Sequence, residues 1–193
     1  MSQGKMPSWV LKYTHSLGHP EVREVMASFM RRHFHSQVIE ADTLAFSAGA
    51  SASLEVCSFV LSNPGDVVAI PAPSYPMYTK DLGIKSQMER YNIQTHHEID
   101  EHPSLALVDI SHLNKAWDEL KQQGKVFKIL LLTSPDNPTG TVYSKQHLVR
   151  IAEWCIEKKV HLVVNEIYAH SLIDTTLPLS LIHISEPTRL RRI

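Results

Sequence analysis

Two apolar runs, Ile129-Leu130-Leu131-Leu132 and His161-Leu162-Val163-Val164, constrain this chain more than any other feature. Each leads into a polar cluster: Asn137-Pro138-Thr139-Gly140 after the first, Asn165-Glu166-Ile167-Tyr168 directly after the second. Short continuous apolar runs bounded by turn residues read as fully buried strands. Between them, residues 144–158 place Leu148, Ile151, Ala152 and Cys155 on one helical stripe. A helix joining two neighbouring strands implies a parallel crossover. Both polar clusters then arrive at the same edge of one sheet, and open α/β sheets bind ligands outside the carboxyl ends of their strands.

The rest of the chain repeats the alternation. A helix is expected over 20–34, with Pro20 in its first turn and Val22, Val25, Met26 and Phe29 on one face. A short strand over 43–47 and a helix over 51–62 follow, then the turn Asn63-Pro64-Gly65-Asp66. A buried strand over 67–70 runs into the proline-rich stretch Pro71-Ala72-Pro73-Ser74-Tyr75-Pro76. Next come a short helix near 77–82, a strand near 87–93, a polar loop over 94–103 and a helix over 111–123. Strands alternating with helices imply an α/β sheet with helices on both faces.

Bulk properties exclude several function classes. The chain has 193 residues, is 43% hydrophobic and 20% charged, and carries a net charge of -1. These are ordinary globular values, with no basic footprint for nucleic acid or anionic membrane. No apolar run approaches the length of a membrane span. Met1-Ser2-Gln3-Gly4-Lys5 opens no signal-peptide core, so a cytoplasmic location is expected. The twelve histidines are scattered, and His33-Phe34-His35 and His96-His97 lack a matching Cys or carboxylate set, so no metal is expected. Cys57 and Cys155 read as small buried hydrophobes. Residues 179–189 read as the translation of a sequencing-library adapter, which makes 179–193 an expected non-native tail.

Paired as they are, the two polar clusters resemble the cofactor-holding motifs of the pyridoxal-phosphate-dependent aminotransferases of fold type I. The likeness runs from Tyr13 to Ile173. It implies a three-layer α/β/α large domain with an incomplete sheet, about five of about seven strands. Residues 1–12 would be the remnant of an N-terminal segment, and 13–178 a truncated cofactor-binding domain. The implied cofactor is pyridoxal 5'-phosphate, the implied substrates an amino acid and a 2-oxo acid, and the implied assembly a homodimer. An aminocyclopropanecarboxylate synthase-like lyase is the alternative, carried by 63–66, 71–76 and the strand into Tyr168. A non-catalytic α/β relic or interaction module is a further one.

The resemblance assigns roles to named residues. Gly49-Ala50-Ser51, between a strand and a helix, would receive the cofactor phosphate on free backbone N–H groups; alone, such a turn is most often only a cap. Tyr75 would stack on the pyridine ring, and alone would read equally well as a surface loop tyrosine. Asn137 and Tyr168 would both donate to the ring hydroxyl oxygen. Tyr13, followed by Gly18, Pro20 and Arg23, matches the segment whose tyrosine reaches the phosphate of the neighbouring subunit.

Two departures stand out. The family's aspartate, whose charge keeps the pyridine nitrogen protonated, is replaced by Asn165. Glu166 should point away, because neighbours on a strand alternate faces. The lysine that forms the Schiff base is absent, since Lys145, Lys158 and Lys159 precede the second strand. No catalytic residue is therefore assigned, and the chain is expected to be inactive. Missing strands would leave the 43–47 strand without partners and expose two long apolar edges, so poor solubility is expected.

Overall fold

The computed structural model describes residues 6–34, 39–95 and 107–171. The adapter-like tail and most of the polar loop after Gln94 lie outside the described residues. Two compact units divide the chain, Met1–Ser47 and Ala48–Ile193.

In the first unit, a 3-10 turn at Ser8–Leu11 precedes helix α1, Pro20–His33. Arg23 is buried in α1 and donates from Nη1 to the Ala41 carbonyl at 3.1 Å. The same nitrogen lies 3.7 Å from the Asp42 carboxylate. Val22, Val25, Met26 and Phe29 stay exposed, and Ala27 is the apolar residue that α1 buries. The expected strand over 43–47 does not form. A 3-10 turn covers Ala41–Thr43, and the chain then runs extended through Leu44 with no ladder. The local residues do favour extended backbone, but a strand needs a neighbour to take its N–H and C=O groups.

The second unit holds the sheet. Its strands are β1, Val67–Ala72; β2, Glu89–Gln94; β3, Phe127–Thr133; and β4, His161–Asn165. They run in the order β2-β1-β3-β4, all parallel. Four strands stand here, one fewer than the sequence suggested. The connecting helices are α2, Ala50–Leu61; α3, Tyr78–Gly83; α4, Ile110–Gln122; and α5, Lys145–Lys158.

Alternation along the strands separates two cores. Val67, Ala69, Leu130 and Leu132 pack with Leu113, Leu120, Leu148, Ile151 and Trp154 of α4 and α5. Val68, Ile70, Ile129 and Leu131 pack instead with Leu54 of α2 and Tyr78 and Leu82 of α3. Because successive side chains leave a strand on opposite faces, this split defines three layers. β1 and β3 are buried on both sides, which explains their unbroken apolar runs.

The two edges differ. β2 carries Glu89, Arg90, Asn92 and Gln94, a polar composition that suits an outer strand. Among the described strands β4 alone presents an apolar edge, where the sequence led to an expectation of two. Cys155 is buried as expected, whereas Cys57 is only half-buried.

Helix starts follow from single residues. Asp109 caps α4 by accepting the His112 N–H at 3.0 Å, and Ser144 caps α5 by accepting the His147 N–H at 3.2 Å. α2 has no side-chain cap; Gly49 precedes it at φ 95°, a conformation that glycine adopts without strain.

Candidate functional site

β3 and β4 are paired so that Thr133 lies opposite Asn165, at the carboxyl ends of both strands. Asn165 has the parity of Val163, and Thr133 that of Leu131, so both side chains leave the sheet on the α2/α3 face. A cleft of about 200 Å3 opens there, lined by Ala50, Ser51, Leu54, Tyr75, Tyr78, Asp81, Asn137, Asn165, Ile167 and Tyr168. Six of the residues expected from sequence therefore meet in one cavity: Ala50, Ser51, Tyr75, Asn137, Asn165 and Tyr168. Gly49 stands just outside the lining as the residue that starts α2. Tyr13 belongs to the first unit, where its side chain is fully exposed. Glu166 is not part of the lining.

Asn137 Nδ2 donates to the Tyr168 hydroxyl at 3.1 Å. Accepting that bond leaves the Tyr168 proton free for a ligand oxygen, next to the second N–H of Asn137. Two donors thus sit side by side. Tyr75 is half-exposed over the cleft and packs edge-on against Tyr78, with ring centroids 5.4 Å apart. At the other end, the first N–H groups of α2 have no intrahelical acceptor, which favours an anion.

Two polar residues of the lining, Tyr78 and Asp81, were not foreseen. Tyr78 is buried; its hydroxyl lies 2.7 Å from Thr133 Oγ1 and accepts from Asn165 Nδ2 at 2.8 Å. Burial raises the Tyr78 pKa, against the lowering effect of its bonds to Thr133 and Asn165, so the hydroxyl stays protonated at neutral pH. Asp81 accepts the Ser51 hydroxyl at 3.1 Å. The Ser51 hydroxyl is thereby turned toward a carboxylate. Among the described residues no Lys, Arg or His lines this cleft. The only sequence signal for Tyr78 and Asp81 was their place on a short helix after a proline-rich loop.

The family "Aminotransferase class I and II" matches residues 5–186. The chain belongs to that family. Aminotransferases of class I and II depend on pyridoxal phosphate, as do the related aminocyclopropanecarboxylate synthases. A curated relative is 1-aminocyclopropane-1-carboxylate synthase 2 of Oryza sativa subsp. japonica, 32% identical over 88% of this chain and 34% of its own length. Among solved structures, a mutant aspartate aminotransferase of Thermus thermophilus aligns with a TM-score of 0.70 at 27% identity, over 84% of this chain and 41% of that one. The aromatic aminotransferase of Pyrococcus horikoshii shares the fold with a TM-score of 0.74 over 91% of this chain and 44% of that one. The chain spans about a third of the length of the curated relatives it matches. The four-stranded parallel sheet with its helices corresponds to the large domain of this fold type.

Proposed function

We propose that this chain is the cofactor-cradling part of a pyridoxal-phosphate-dependent aminotransferase that moves an amino group between an amino acid and a 2-oxo acid. The convergence of Tyr75, Asn137, Asn165 and Tyr168 on one cleft at the ends of β3 and β4 carries this reading.

The residues fit the cofactor's ring. Tyr75 would cover one face, while Asn137 and Tyr168 would hold the ring oxygen with paired donors. Asn165 would be the residue toward the ring nitrogen. The phosphate end fits through the free N–H groups of α2, with Ser51 and Gly49 allowing close approach, although the Asp81 carboxylate opposes a second negative charge there. When bound, the cofactor supplies an electron sink that stabilises negative charge on the α-carbon of an amino acid. The protein's own residues orient the ring, shield one face from water and hold the ring oxygen.

A second reading is supported by the resemblance to the rice synthase: the longer protein is a lyase of the aminocyclopropanecarboxylate synthase kind. The two diverge only in the fate of the same negative charge, so the cleft residues serve either. Because none of the described lysines lines the cleft, the proposal includes that this chain binds the cofactor without turning substrate over. A homodimeric assembly and a cytoplasmic location belong to the same proposal. Among the described residues no helix is long and apolar enough to cross a membrane.

Pyridoxine tests the cleft directly, since it carries the ring and hydroxyl but no aldehyde to react with surface lysines. Saturable binding that is weakened at least about fivefold by Tyr75→Ala is expected, and equal binding by both proteins overturns the assignment. In a longer chain carrying the lysine, a half-reaction with amino donors followed by cofactor absorbance separates aminotransferase from lyase.

A further inference from the structure

Asn165 is held at both ends of its amide. Oδ1 accepts the Ile167 backbone N–H at 3.1 Å, and Nδ2 donates to the Tyr78 hydroxyl at 2.8 Å. A backbone N–H only donates, so exchanging the two amide atoms would set donor against donor. The Tyr78 hydroxyl, which accepts from Asn165, also shares a hydrogen bond of 2.7 Å with Thr133 Oγ1. The Asn165 amide is thus fixed in one orientation, and the tyrosine that receives it is itself tied to the sheet. Tyr78 and Thr133 are 2% and 5% exposed, which makes this arrangement costly to disturb.

We propose that this fixed amide makes the cleft select a pyridine-type ring whose nitrogen carries no proton, Asn165 donating its second Nδ2–H to that nitrogen and Tyr78 serving as the positioning residue. The inference rests on the cofactor reading, which sets the ring nitrogen toward Asn165. A deprotonated ring nitrogen is an acceptor and matches the offered N–H. A protonated one needs an anion, and the bonds to Asn165 and Tyr78 come from Ile167, Thr133 and each other, with no carboxylate among them. The nearby acids are otherwise placed. Asp81 lines the cleft but accepts the Ser51 hydroxyl. Asp136 accepts the Thr139 hydroxyl at 2.6 Å, and Glu166 lies outside the lining. Burial of a positive ring without a direct counter-charge disfavours it further.

The test titrates pyridoxine bound to the full 193-residue chain against pH, reading the distinct near-ultraviolet bands of its nitrogen-protonated and nitrogen-free forms. The bound ring nitrogen is expected to titrate about one unit or more below its value in free pyridoxine. Asn165→Asp replaces the offered N–H by an acceptor, because a carboxylate accepts from Ile167, Tyr78 and the ring alike, and should lift the value above that of the free compound. Tyr78→Phe should shrink the depression by about half or more; a merely structural tyrosine would change affinity and leave the titration in place. A bound ring that titrates at or above the free value in the wild-type chain overturns this inference while leaving the cofactor reading standing. Absence of any pyridoxine binding overturns both. The wild-type titration decides the matter even if a variant fails to fold.

Discussion

Asn137 and Tyr168, 31 residues apart in sequence, share a hydrogen bond of 3.1 Å across the carboxyl ends of two parallel strands. Neither side chain makes another hydrogen bond among the described residues, so the pair is available to one ligand oxygen. A single neutral hydrogen bond contributes about 1 kcal/mol net, or roughly fivefold in affinity. Tyr168→Phe should weaken pyridoxine binding by about that factor, and Asn137→Ala by as much or more. Isothermal titration of the two variants and their combination measures it. Additive losses would mean that the side chains act on different atoms, contrary to the shared-oxygen arrangement.

Asp81 should penalise a phosphate. Its carboxylate lines the cleft where α2 begins and has no ion-pair partner among the described residues. Charge repulsion near a protein surface reaches a few kcal/mol and is reduced by exposure. Asp81→Asn should therefore tighten pyridoxine 5'-phosphate by about tenfold and leave pyridoxine within about twofold. Fluorescence titration with both compounds separates the charge effect from a general change in the cleft.

Acid should loosen α4. Burial alone would raise the Asp109 pKa, but bonds from the Ser111 hydroxyl and the His112 N–H, with the charge of His112, overcome it and bring the value down to about 2. A carboxylate with a depressed folded-state pKa stabilises above its unfolded value, about 3.9, and that support is lost as pH falls toward about 2. Asp109→Ala should cost about 1 kcal/mol at neutral pH, as for other lost helix caps, and should flatten the stability profile below about pH 4. Urea denaturation at pH 7 and pH 3 is the check.

The two cysteines should report on folding. Burial pushes the Cys155 thiol up to about 12, and the side chain sits in the α4/α5 core. Since the thiolate is the reactive form, Cys155 should resist alkylation until the chain unfolds, while half-buried Cys57 is modified first. Mass spectrometry after a short pulse of alkylating agent distinguishes them. Equal labelling of both in native buffer would show a loosely packed core and overturn this prediction.

Much of this arrangement is legible in the residues alone. Ile129 to Leu132 and His161 to Val164 announce strands, and the polar residues just beyond them mark the cleft. Local pattern was insufficient wherever a partner decides the outcome. Residues 43–47 have the composition of a strand, yet among the described residues they find a single backbone bond, Phe46 N–H to the Leu17 carbonyl at 2.9 Å, and no ladder. Val22, Val25, Met26 and Phe29 form a stripe that a helix usually buries, yet in the first unit α1 buries Arg23 and Ala27 instead. Tyr78 carries no sequence mark because its partner Asn165 lies 87 residues away, and only the fold brings them together. Ser51 reads in sequence as part of a phosphate-binding turn, and nothing local shows that an acid thirty positions downstream takes its hydroxyl proton.

The register of β4 on β3 has a wider consequence. Asn165 meets Tyr78 only because Thr133 is its ladder partner, and a slip by one residue would send every β4 side chain to the opposite face. Apolar residues that do not line the cleft, such as Leu162 and Val164 on the opposite face of the sheet, thereby act as its alignment gauge. Substitutions that loosen them should appear first as lost ligand affinity, before any loss of helix content.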